Sequence, residues 1–552
     1  MGVINDIAEQ YVERVAELDP VNATEAGIVG HDHEMTDLSS AGFAARADLD
    51  RATVAALTEA EAATEHEQVA RSAMLERLGL AVEQYDAGEV TGDVNVIASW
   101  VQGVRQVFDL MPTEGEEAQA NIAARMAAVP AAYADLQRTY AEAARHGHVS
   151  ARRQIVETAA QCLDWTAPGK SFYHGLVERT GASGALLADL TAAADAARAA
   201  TAGLGEFLTS ELLPLAPGRD AVGRDRYALA SRAFLGAAID LDEAYYWGWN
   251  EVIRIETEMA RVAGLVVPGG SLQDAVKALD ADPKRKITGS DALRSWMQEF
   301  AERTIAELDG THFDIPEPAR RIEAMIAPTA DGGIYYTGPS EDWSRPGRMW
   351  WTVPDGVDEF STWKEITTIY HEGVPGHHLQ VSQAVFEKDR LNRWQRLLCW
   401  VSGHGEGWAL YSERLMEELG YLSDPGALLG MLDGQLLRAA RVVVDLGVHL
   451  ELTVPADSAW RPGETWNAEL AWEFLRSRVQ TDDEMLRFEL NRYLGWPGQA
   501  PAYKLGERIW LQARDEARQR QGAAFSLKDF HTRALALGSL GLDPLREALA
   551  RL

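Results

Sequence analysis

The sequence predicts a mainly α-helical protein with one small β-sheet, and three observations support this fold class. The first half is rich in Ala, Glu and Arg, and its apolar residues recur at helical spacing. Proline and glycine breakers divide this half into separate helices, which favours a packed bundle over a coiled coil. The stretch 311–358 is instead rich in Pro, Gly, Tyr and Trp, and helical spacing resumes after Trp363.

The helices of the first half follow one another along the chain. They are predicted over 6–18, 44–84, 96–110, 117–146, 150–163, 183–213 and 241–262. Strand candidates follow in the segments IEAMIAP, GGIYYTG and RMWWTVP. We expect them to form one sheet beside the helix TWKEITTIY, with an edge suited to binding a peptide by strand addition. An N-terminal helical lobe (1–310) and a C-terminal catalytic lobe (311–552) are expected to form one integrated fold.

Charge and composition argue against several classes of partner. Lys and Arg number 52 and Asp and Glu number 84, which gives a net charge of −32 at pH 7. Such an acidic chain is a poor partner for nucleic acid or for an anionic membrane surface. There is no signal-peptide pattern at the start and no apolar run of membrane-spanning length. With Cys162 and Cys399 as the only cysteines, we expect a reduced, cytoplasmic protein; the oligomeric state stays open.

The run YHEGVPGHHLQ carries the strongest chemical signal. Neutral imidazoles are good zinc ligands, and a Glu beside the first His can take a proton from an activated water. His371 and Glu372 supply this pair at the end of a predicted helix. The second His does not follow at the usual spacing of four residues. His377 lies six residues after His371, and His378 lies seven after it.

A break in the helix is needed if both imidazoles are to reach one ion. On a straight helix, residues seven apart share a face but lie about two turns from each other. Zn–N bonds are only about 2.0–2.1 Å long, so such a pair cannot share one zinc. Pro375 and Gly376 supply the break, since Pro cannot continue the hydrogen-bond ladder and Gly tolerates unusual dihedrals. We favour His377 as the second ligand, because it directly follows Gly376, and His378 is the alternative.

A third ligand is expected about thirty residues later. The segment GHGEGWALYSERLMEELG begins with small residues and continues as a periodic helix. Glu406 lies in its first turn, and Glu413 lies seven residues on, on the same face. We predict that Glu406 completes a site for one Zn²⁺ with two His and one Glu, and that Glu413 holds a ligating His by its second ring nitrogen. A helix N-terminal carboxylate favoured by the helix dipole is the alternative for Glu406.

Five blocks together resemble a known bacterial family. HEGVPGHHLQ, GHGEGWALYSERL, RVVVDLGVH, PGQAPAYKLGE and SRPGRMWW are similar to domain-of-unknown-function family 885 (DUF885), and the resemblance covers most of the chain from about Asp19 onward. That family resembles the gluzincin-type zinc peptidases, including the carboxypeptidase Taq group. The resemblance implies a large helical zinc-peptidase-like fold with a deep cleft, but it implies no particular substrate. By this resemblance and by its phenol chemistry, Tyr503 is predicted to donate to the oxyanion; a core tyrosine is the alternative.

Further residues are candidates for substrate contact or for orienting the site. An arginine can clamp a substrate carboxylate through two parallel hydrogen bonds, although it can equally pair with a structural carboxylate. The candidates for substrate contact are Arg345, Tyr336, Arg441, Arg492 and Gln499. Asp445 and His449 lie four residues apart on one helical face. They are expected to act either as a catalytic pair, with the Asp orienting the His, or as a satisfied core pair.

These observations favour a zinc-dependent hydrolase that cleaves amide bonds of short peptides, with Glu372 as the general base. Two alternatives stay open. The first is a metallohydrolase acting on another small amide or ester. The second is a metal-stabilised binding or scaffold protein whose lengthened motif no longer catalyses.

Overall fold

The computed structural model describes residues 2–327, 333–354 and 356–551. The described part of the chain is mainly helical, as predicted. The helices before the β-rich stretch are α1 Val3–Leu18, α2 Pro20–Glu25, α3 Ser40–Glu59, α4 Glu65–Asp86, α5 Trp100–Leu110, α6 Glu116–Arg145, α7 Arg152–Trp165, α8 Phe172–Thr180, α9 Gly184–Phe207, α10 Arg224–Leu235, α11 Leu241–Val266, α12 Leu272–Ala281 and α13 Ser290–Leu308. The helices after it are α14 Thr362–Glu372, α15 His377–Phe386, α16 Ser402–Glu418, α17 Pro425–His449, α18 Ala468–Arg476, α19 Asp483–Gly495, α20 Ala502–Gln521, α21 Leu527–Leu535 and α22 Leu542–Arg551.

The predicted helix over 44–84 is two helices in the structure. After α3 ends, Ala60 adopts an extended backbone, and α4 begins with a new N-cap. The hydroxyl of Thr64 accepts a hydrogen bond from the backbone N–H of Glu67 at 3.2 Å. This cap satisfies a donor that the first turn of a helix leaves free. Helical composition on both sides hid a break that contains neither Pro nor Gly.

The strands form two small sheets. They are β1 Lys286–Thr288, β2 Ile322–Ile326, β3 Tyr335–Thr337, β4 Gly347–Trp351 and β5 Glu359–Ser361. The three predicted segments supply a sheet in the order β2-β4-β3, with β2 parallel and β3 antiparallel to β4. Pro328 and Gly332, at the ends of two of these segments, lie outside the described residues. A second antiparallel pair, β1 with β5, adds to the predicted sheet and leads directly into α14.

Two hydrophobic clusters form the core. The smaller cluster lies among the helices from α5 to α9, together with residues from α2 and α3. The larger one joins α1, α4 and α10–α13 to the sheet and to every helix from α14 to α22. It therefore contains residues from both sides of position 310, and the lobe boundary drawn there stays a prediction. Cys162 and Cys399 are buried and free.

Four helices of the larger cluster hold the His-Glu motif. Helix α14 packs against α16 and α17, and α16 packs along α20. The crossing of α16 and α20 is a backbone contact, because a β-carbon at Gly407 would lie 2.5 Å from the carbonyl carbon of Gly506. Glycine at both positions lets α16 approach α20 more closely than side chains would allow. None of the described helices is long and apolar enough to cross a membrane.

Candidate metal centre

The helix carrying His371 ends at Glu372, and a new helix begins at His377. The turn between them is tight, since the backbone N–H of Gly376 donates to the carbonyl of Tyr370 at 3.0 Å. A β-carbon at Gly376 would lie 1.9 Å from the carbonyl oxygen of His371, so only glycine fits there. The indole N–H of Trp408 donates to the carbonyl of Pro375 at 2.9 Å and anchors the break to α16.

This break brings two imidazoles and one carboxylate together. Nε2 of His371 lies 3.2 Å from Oε2 of Glu406, and Nε2 of His377 lies 3.4 Å from the same oxygen. One ligand atom from each of the three residues lies within 4.8 Å of the other two. Two ligands bound about 2.0–2.1 Å from a tetrahedral zinc are separated by about 3.3 Å. The three side chains therefore fit one zinc ion, and the donor set is the two-His, one-Glu set that zinc accepts.

His378 points away from this group. Its Nε2 lies 2.7 Å from the carbonyl oxygen of Ala319, to which it donates. Its Nδ1 lies 2.9 Å from the hydroxyl of Tyr336, which donates in return. Burial lowers the pKa of His378 to about 4, so the ring is neutral. His378, the alternative second ligand, therefore connects the helix break to β3 through its hydrogen bond with Tyr336.

Glu413 orients the first imidazole. Its Oε1 lies 2.7 Å from Nδ1 of His371, and its Oε2 accepts a hydrogen bond from the hydroxyl of Thr367 at 2.5 Å. The contact predicted for Glu413 is therefore present in the structure. A carboxylate on Nδ1 fixes the tautomer and turns Nε2 toward the metal position.

The electrostatics of the group suit a cation. Burial alone would lower the pKa of His371, but hydrogen bonds with Glu406 and Glu413 outweigh it and raise that pKa to about 10. Burial alone would raise the pKa of Glu406, but His377 and His371 outweigh it and hold that pKa well below its usual value. The carboxylate is thus ionised in a buried, positively charged setting. Such a pocket can hold a divalent ion in place of a proton.

Glu372 is buried beside this group. Burial raises its pKa, against the opposing influence of His377 and His371. Its Oε2 has no hydrogen-bond partner among the described residues. A buried carboxylate with a raised pKa and a free oxygen is suited to accept a proton and pass it on.

Arg438 links Glu372 to the predicted oxyanion donor, and sequence reasoning missed it. Its positive charge acts to lower the pKa of Glu372. Its guanidinium also lies 6.0 Å from the ring centre of Tyr503, a largely buried residue of α20. Arg438 lies three residues before Arg441 on α17, so its position on the same helical face was the available signal.

Two other residues predicted to contact substrate, Arg492 and Gln499, lie around Tyr503. Nη2 of Arg492 is 3.4 Å from the Tyr503 hydroxyl and 2.7 Å from Oε1 of Gln499. Nε2 of Gln499 lies 3.5 Å from the hydroxyl of Ser402, one turn before Glu406 on α16. Tyr503, Arg492 and Gln499 therefore form one connected group next to the helix that carries Glu406.

Arg345 and Tyr336 lie on the sheet side of Glu372. Burial raises the pKa of Tyr336, with Arg345 opposing and Glu372 adding to the rise. Burial and Arg348 lower the pKa of Arg345. Among the described residues, the Arg345 guanidinium has no carboxylate within 4.0 Å. Arg345 therefore stays a candidate for substrate contact.

Among the described residues, no hydrogen bond or ion pair joins Asp445 or His449 to His371, His377 or Glu406. Oδ2 of Asp445 accepts hydrogen bonds from the hydroxyl of Tyr227 and the backbone N–H of Gly498. Nε2 of His449 donates to the carbonyl of Tyr493 at 3.0 Å. At about 1.5 Å per residue, His449 lies roughly 16 Å along α17 from Arg438. The pair is a buried core pair that joins α17 to α10 and α19.

Trp400 is a second residue that sequence reasoning missed. It is 51% exposed, and its ring centre lies 5.9 Å from that of His377. No motif marks it, because it lies in the irregular segment before α16.

A cavity of about 710 Å³ lies elsewhere, on the α11 and α20 side. Its arginines and glutamates pair with one another. The deep cleft implied by the resemblance stays a prediction.

Two solved structures share the fold. A protein from Colwellia psychrerythraea, described as a "putative lipoprotein", superposes with a TM-score of 0.86 at 21% identity and covers 99% of this chain and 98% of that one. A "putative lipoprotein of unknown function" from Shewanella oneidensis gives 0.74 at 18% identity and covers 99% of each chain. No curated protein matches the chain. Residues 20–549 match a family described as "Bacterial protein of unknown function", and the chain therefore belongs to DUF885.

Proposed function

We propose that this protein is a zinc-dependent metallohydrolase that cleaves the amide bonds of short peptides, with Glu372 as general base. One observation carries the proposal: Nε2 of His371 and Nε2 of His377 converge on one oxygen of Glu406, at 3.2 and 3.4 Å. Glu413 orients His371 from behind, as carboxylates do for zinc-ligating histidines. The resemblance of the motifs to gluzincin-type peptidases agrees with this chemistry.

Each residue of the group has a task in amide hydrolysis. When bound, zinc supplies a Lewis acid that polarises a carbonyl and acidifies water. Glu372 takes a proton from the attacking water through its unpartnered Oε2. Because burial raises its pKa, it can hold this proton and then release it to the leaving amine.

Tyr503 and the exposed face near His377 complete the proposed site. The phenol of Tyr503 donates a hydrogen bond to the developing oxyanion. Trp400 offers an exposed aromatic surface beside His377 for an apolar substrate side chain. Glu406 is only 18% exposed, so small substrates suit the site better than folded proteins.

The decisive variant is Glu372→Gln. It removes the base and keeps the size of the side chain, so we expect full zinc content and a loss of nearly all turnover. Zinc is counted by mass spectrometry of the purified protein, and turnover is followed on a library of short peptides. Glu365→Gln is the matched control, because Glu365 lies on the same helix and its oxygen accepts from the Trp351 indole at 2.7 Å. An amide oxygen can accept the same bond.

The same assays separate the alternatives. If the purified protein binds no zinc, the proposed function is wrong. Zinc together with full turnover in Glu372→Gln means that another group is the base. Zinc with no peptide cleavage but with hydrolysis of small amides or esters favours the other metallohydrolase. Zinc with no hydrolysis of any kind favours the binding or scaffold protein.

A further inference from the structure

Three arginines surround the ring of Tyr503, beside the proposed metal site. Arg438 and Arg441 lie one turn apart on α17, and their guanidinium carbons are 6.0 and 4.8 Å from the ring centre. Arg492 approaches from α19, with Nη2 3.4 Å from the tyrosine hydroxyl. Three positive charges thus converge on one phenol.

One carboxylate is shared by two of these arginines. Glu489 accepts from Nη2 of Arg441 at 2.7 Å and from Nη1 of Arg492 at 3.4 Å. Arg438 has no carboxylate within 4.0 Å among the described residues, and Nη1 bonds only the carbonyl of Gly434, at 3.3 Å.

Several of these N–H groups are buried without a partner. Among the described residues, Nε of Arg438, Nη1 of Arg441 and Nε of Arg492 make no hydrogen bond. Arg441 itself is only 5% exposed. A buried charged donor without a partner costs free energy, and a bound anion would remove that cost. A guanidinium also matches the planar geometry of a carboxylate, which it can bind through two hydrogen bonds.

Arg438 places this cluster next to the metal group. A β-carbon at Gly434 would lie 3.2 Å from Nη1 of Arg438 and 3.9 Å from Oε2 of Glu413. Nη1 of Arg438 and the carboxylate that orients His371 therefore lie within about 7 Å of each other, the sum of these two distances. The charge of Arg438 acts to lower the pKa of Glu372 and that of Glu489. A substrate that extends from Arg438 to Glu372 would contact the arginines and the proposed catalytic group together.

We infer that Arg438, Arg441 and Arg492 form a subsite for a substrate carboxylate, with Arg438 as the arginine nearest the bond to be cleaved. The inference rests on the proposed function, because it names the class of amide that the site accepts: a short peptide with a carboxylate close to the scissile bond. That carboxylate is either the free C-terminus or an acidic side chain.

Binding can be measured apart from turnover in the zinc-loaded Glu372→Gln protein. We would titrate it by calorimetry with acetyl-trialanine, with acetyl-trialanine amide and with acetyl-Ala-Glu-Ala amide. The free acid should bind at least tenfold more tightly than its amide. Tight binding of the Glu-containing amide would assign the subsite to an acidic side chain instead of the C-terminus.

Arg438→Gln, introduced into the same protein, should remove the preference for the carboxylate and leave binding of the amide unchanged. Arg438→Lys should keep part of the preference for the carboxylate. Lysine keeps the positive charge but cannot form the two parallel hydrogen bonds of a guanidinium. The control is Arg476→Gln, an exposed arginine paired with Asp483. Circular dichroism and zinc content establish that each variant is folded.

Equal affinity of acid and amide, including binding of neither, would overturn the subsite. So would a carboxylate preference that survives in a folded Arg438→Gln protein. The proposed function fails by separate readouts, which are zinc content and cleavage by the wild-type protein. A protein without zinc that still prefers the carboxylate through Arg438 would keep the subsite and lose the hydrolase.

Discussion

Oε1 of Glu413 lies 2.7 Å from Nδ1 of His371, inside a contact between α16 and α14 that is closed to solvent. The same carboxylate accepts from the hydroxyl of Thr367 through its other oxygen. The hydrogen bond from Thr367 therefore fixes the carboxylate that orients the imidazole of His371. Nε2 of His371 faces Oε2 of Glu406 at 3.2 Å, and the ring centre of His377 lies 4.9 Å from that of His371.

Removing Glu413 should weaken zinc binding and leave the ligands in place. We expect Glu413→Ala to raise the zinc dissociation constant by about 10- to 100-fold, the usual effect of losing a carboxylate that orients a ligating histidine. Competition with a chromophoric chelator measures this constant. Glu417→Ala is the control, since Glu417 lies one turn further along α16 and pairs with Arg414. Unchanged zinc affinity in Glu413→Ala would contradict the orienting role.

Substitution of His377 should affect zinc binding, whereas substitution of its neighbour His378 should affect stability. His377→Ala should abolish stoichiometric zinc binding, because it removes one of the three proposed ligands. His378→Ala should keep zinc but lower the free energy of unfolding by about 1–3 kcal/mol, since it leaves the Ala319 carbonyl and the Tyr336 hydroxyl without their partner. Zinc content and urea unfolding measure the two effects. The reverse pattern would make His378 the ligand.

Much of this site follows from the sequence because its signals are local. A His-Glu pair, a Pro-Gly break and a first-turn Glu each sit at fixed spacing, and the structure brings His371, His377 and Glu406 together as that spacing predicts. The choice between His377 and His378 was harder. Which of the two histidines faces Glu406 depends on the backbone dihedrals of Gly373 and Gly376, and these cannot be read from composition.

Tertiary packing decided what the sequence could not. Asp445 and His449 have the spacing of an orienting pair, yet their partners come from α10, α19 and the turn before α20, far away along the chain. Arg438 stands out because, among the described residues, no carboxylate lies within 4.0 Å of its guanidinium nitrogens. The sheet of β1 and β5 joins segments about seventy residues apart, each too short to show a strand period. Zinc, peptide cleavage and a cytoplasmic location stay predictions.

The close crossing of α16 and α20 should tolerate no side chain. A β-carbon at Gly407 would lie 2.5 Å from the Gly506 backbone, and backbone cannot move aside as a flexible side chain can. We expect Gly407→Ala to lower the free energy of unfolding by about 1–3 kcal/mol, the usual cost of overpacking. It should also weaken zinc binding, because Glu406 is the adjacent residue.

Gly79→Ala is the matched control for this crossing. Gly79 lies inside α4, and a β-carbon there would meet nothing within 4 Å. Alanine should stabilise that helix by up to about 1 kcal/mol, since it restricts the unfolded chain. Urea unfolding of both variants gives the comparison. If Gly407→Ala proved as stable as the wild type, the crossing would have room that the structure does not show.

Stability should fall in mild acid because of a buried, neutral histidine. Nε2 of His531, on α21, lies at hydrogen-bond distance, 2.8 Å, from the Tyr411 hydroxyl. The rings of Phe313, Trp408 and Phe530 surround it. Burial lowers its pKa to about 3, and the charge of Arg514 acts in the same direction. In the unfolded chain the pKa returns to about 6.5, so below that pH the unfolded state binds a proton that the folded state refuses.

The free energy of unfolding therefore decreases as the pH falls from about 6.5 toward 3. For this one group the loss between pH 7 and pH 5 is about 2 kcal/mol. His531→Gln should make the wild-type slope shallower by that amount, even though it costs stability at pH 7. The matched control is His33→Gln, which makes the same substitution at a histidine whose side chain is 54% exposed. Urea unfolding at several pH values measures all three proteins. Parallel curves for the wild type and His531→Gln would mean that His531 is protonated in the fold.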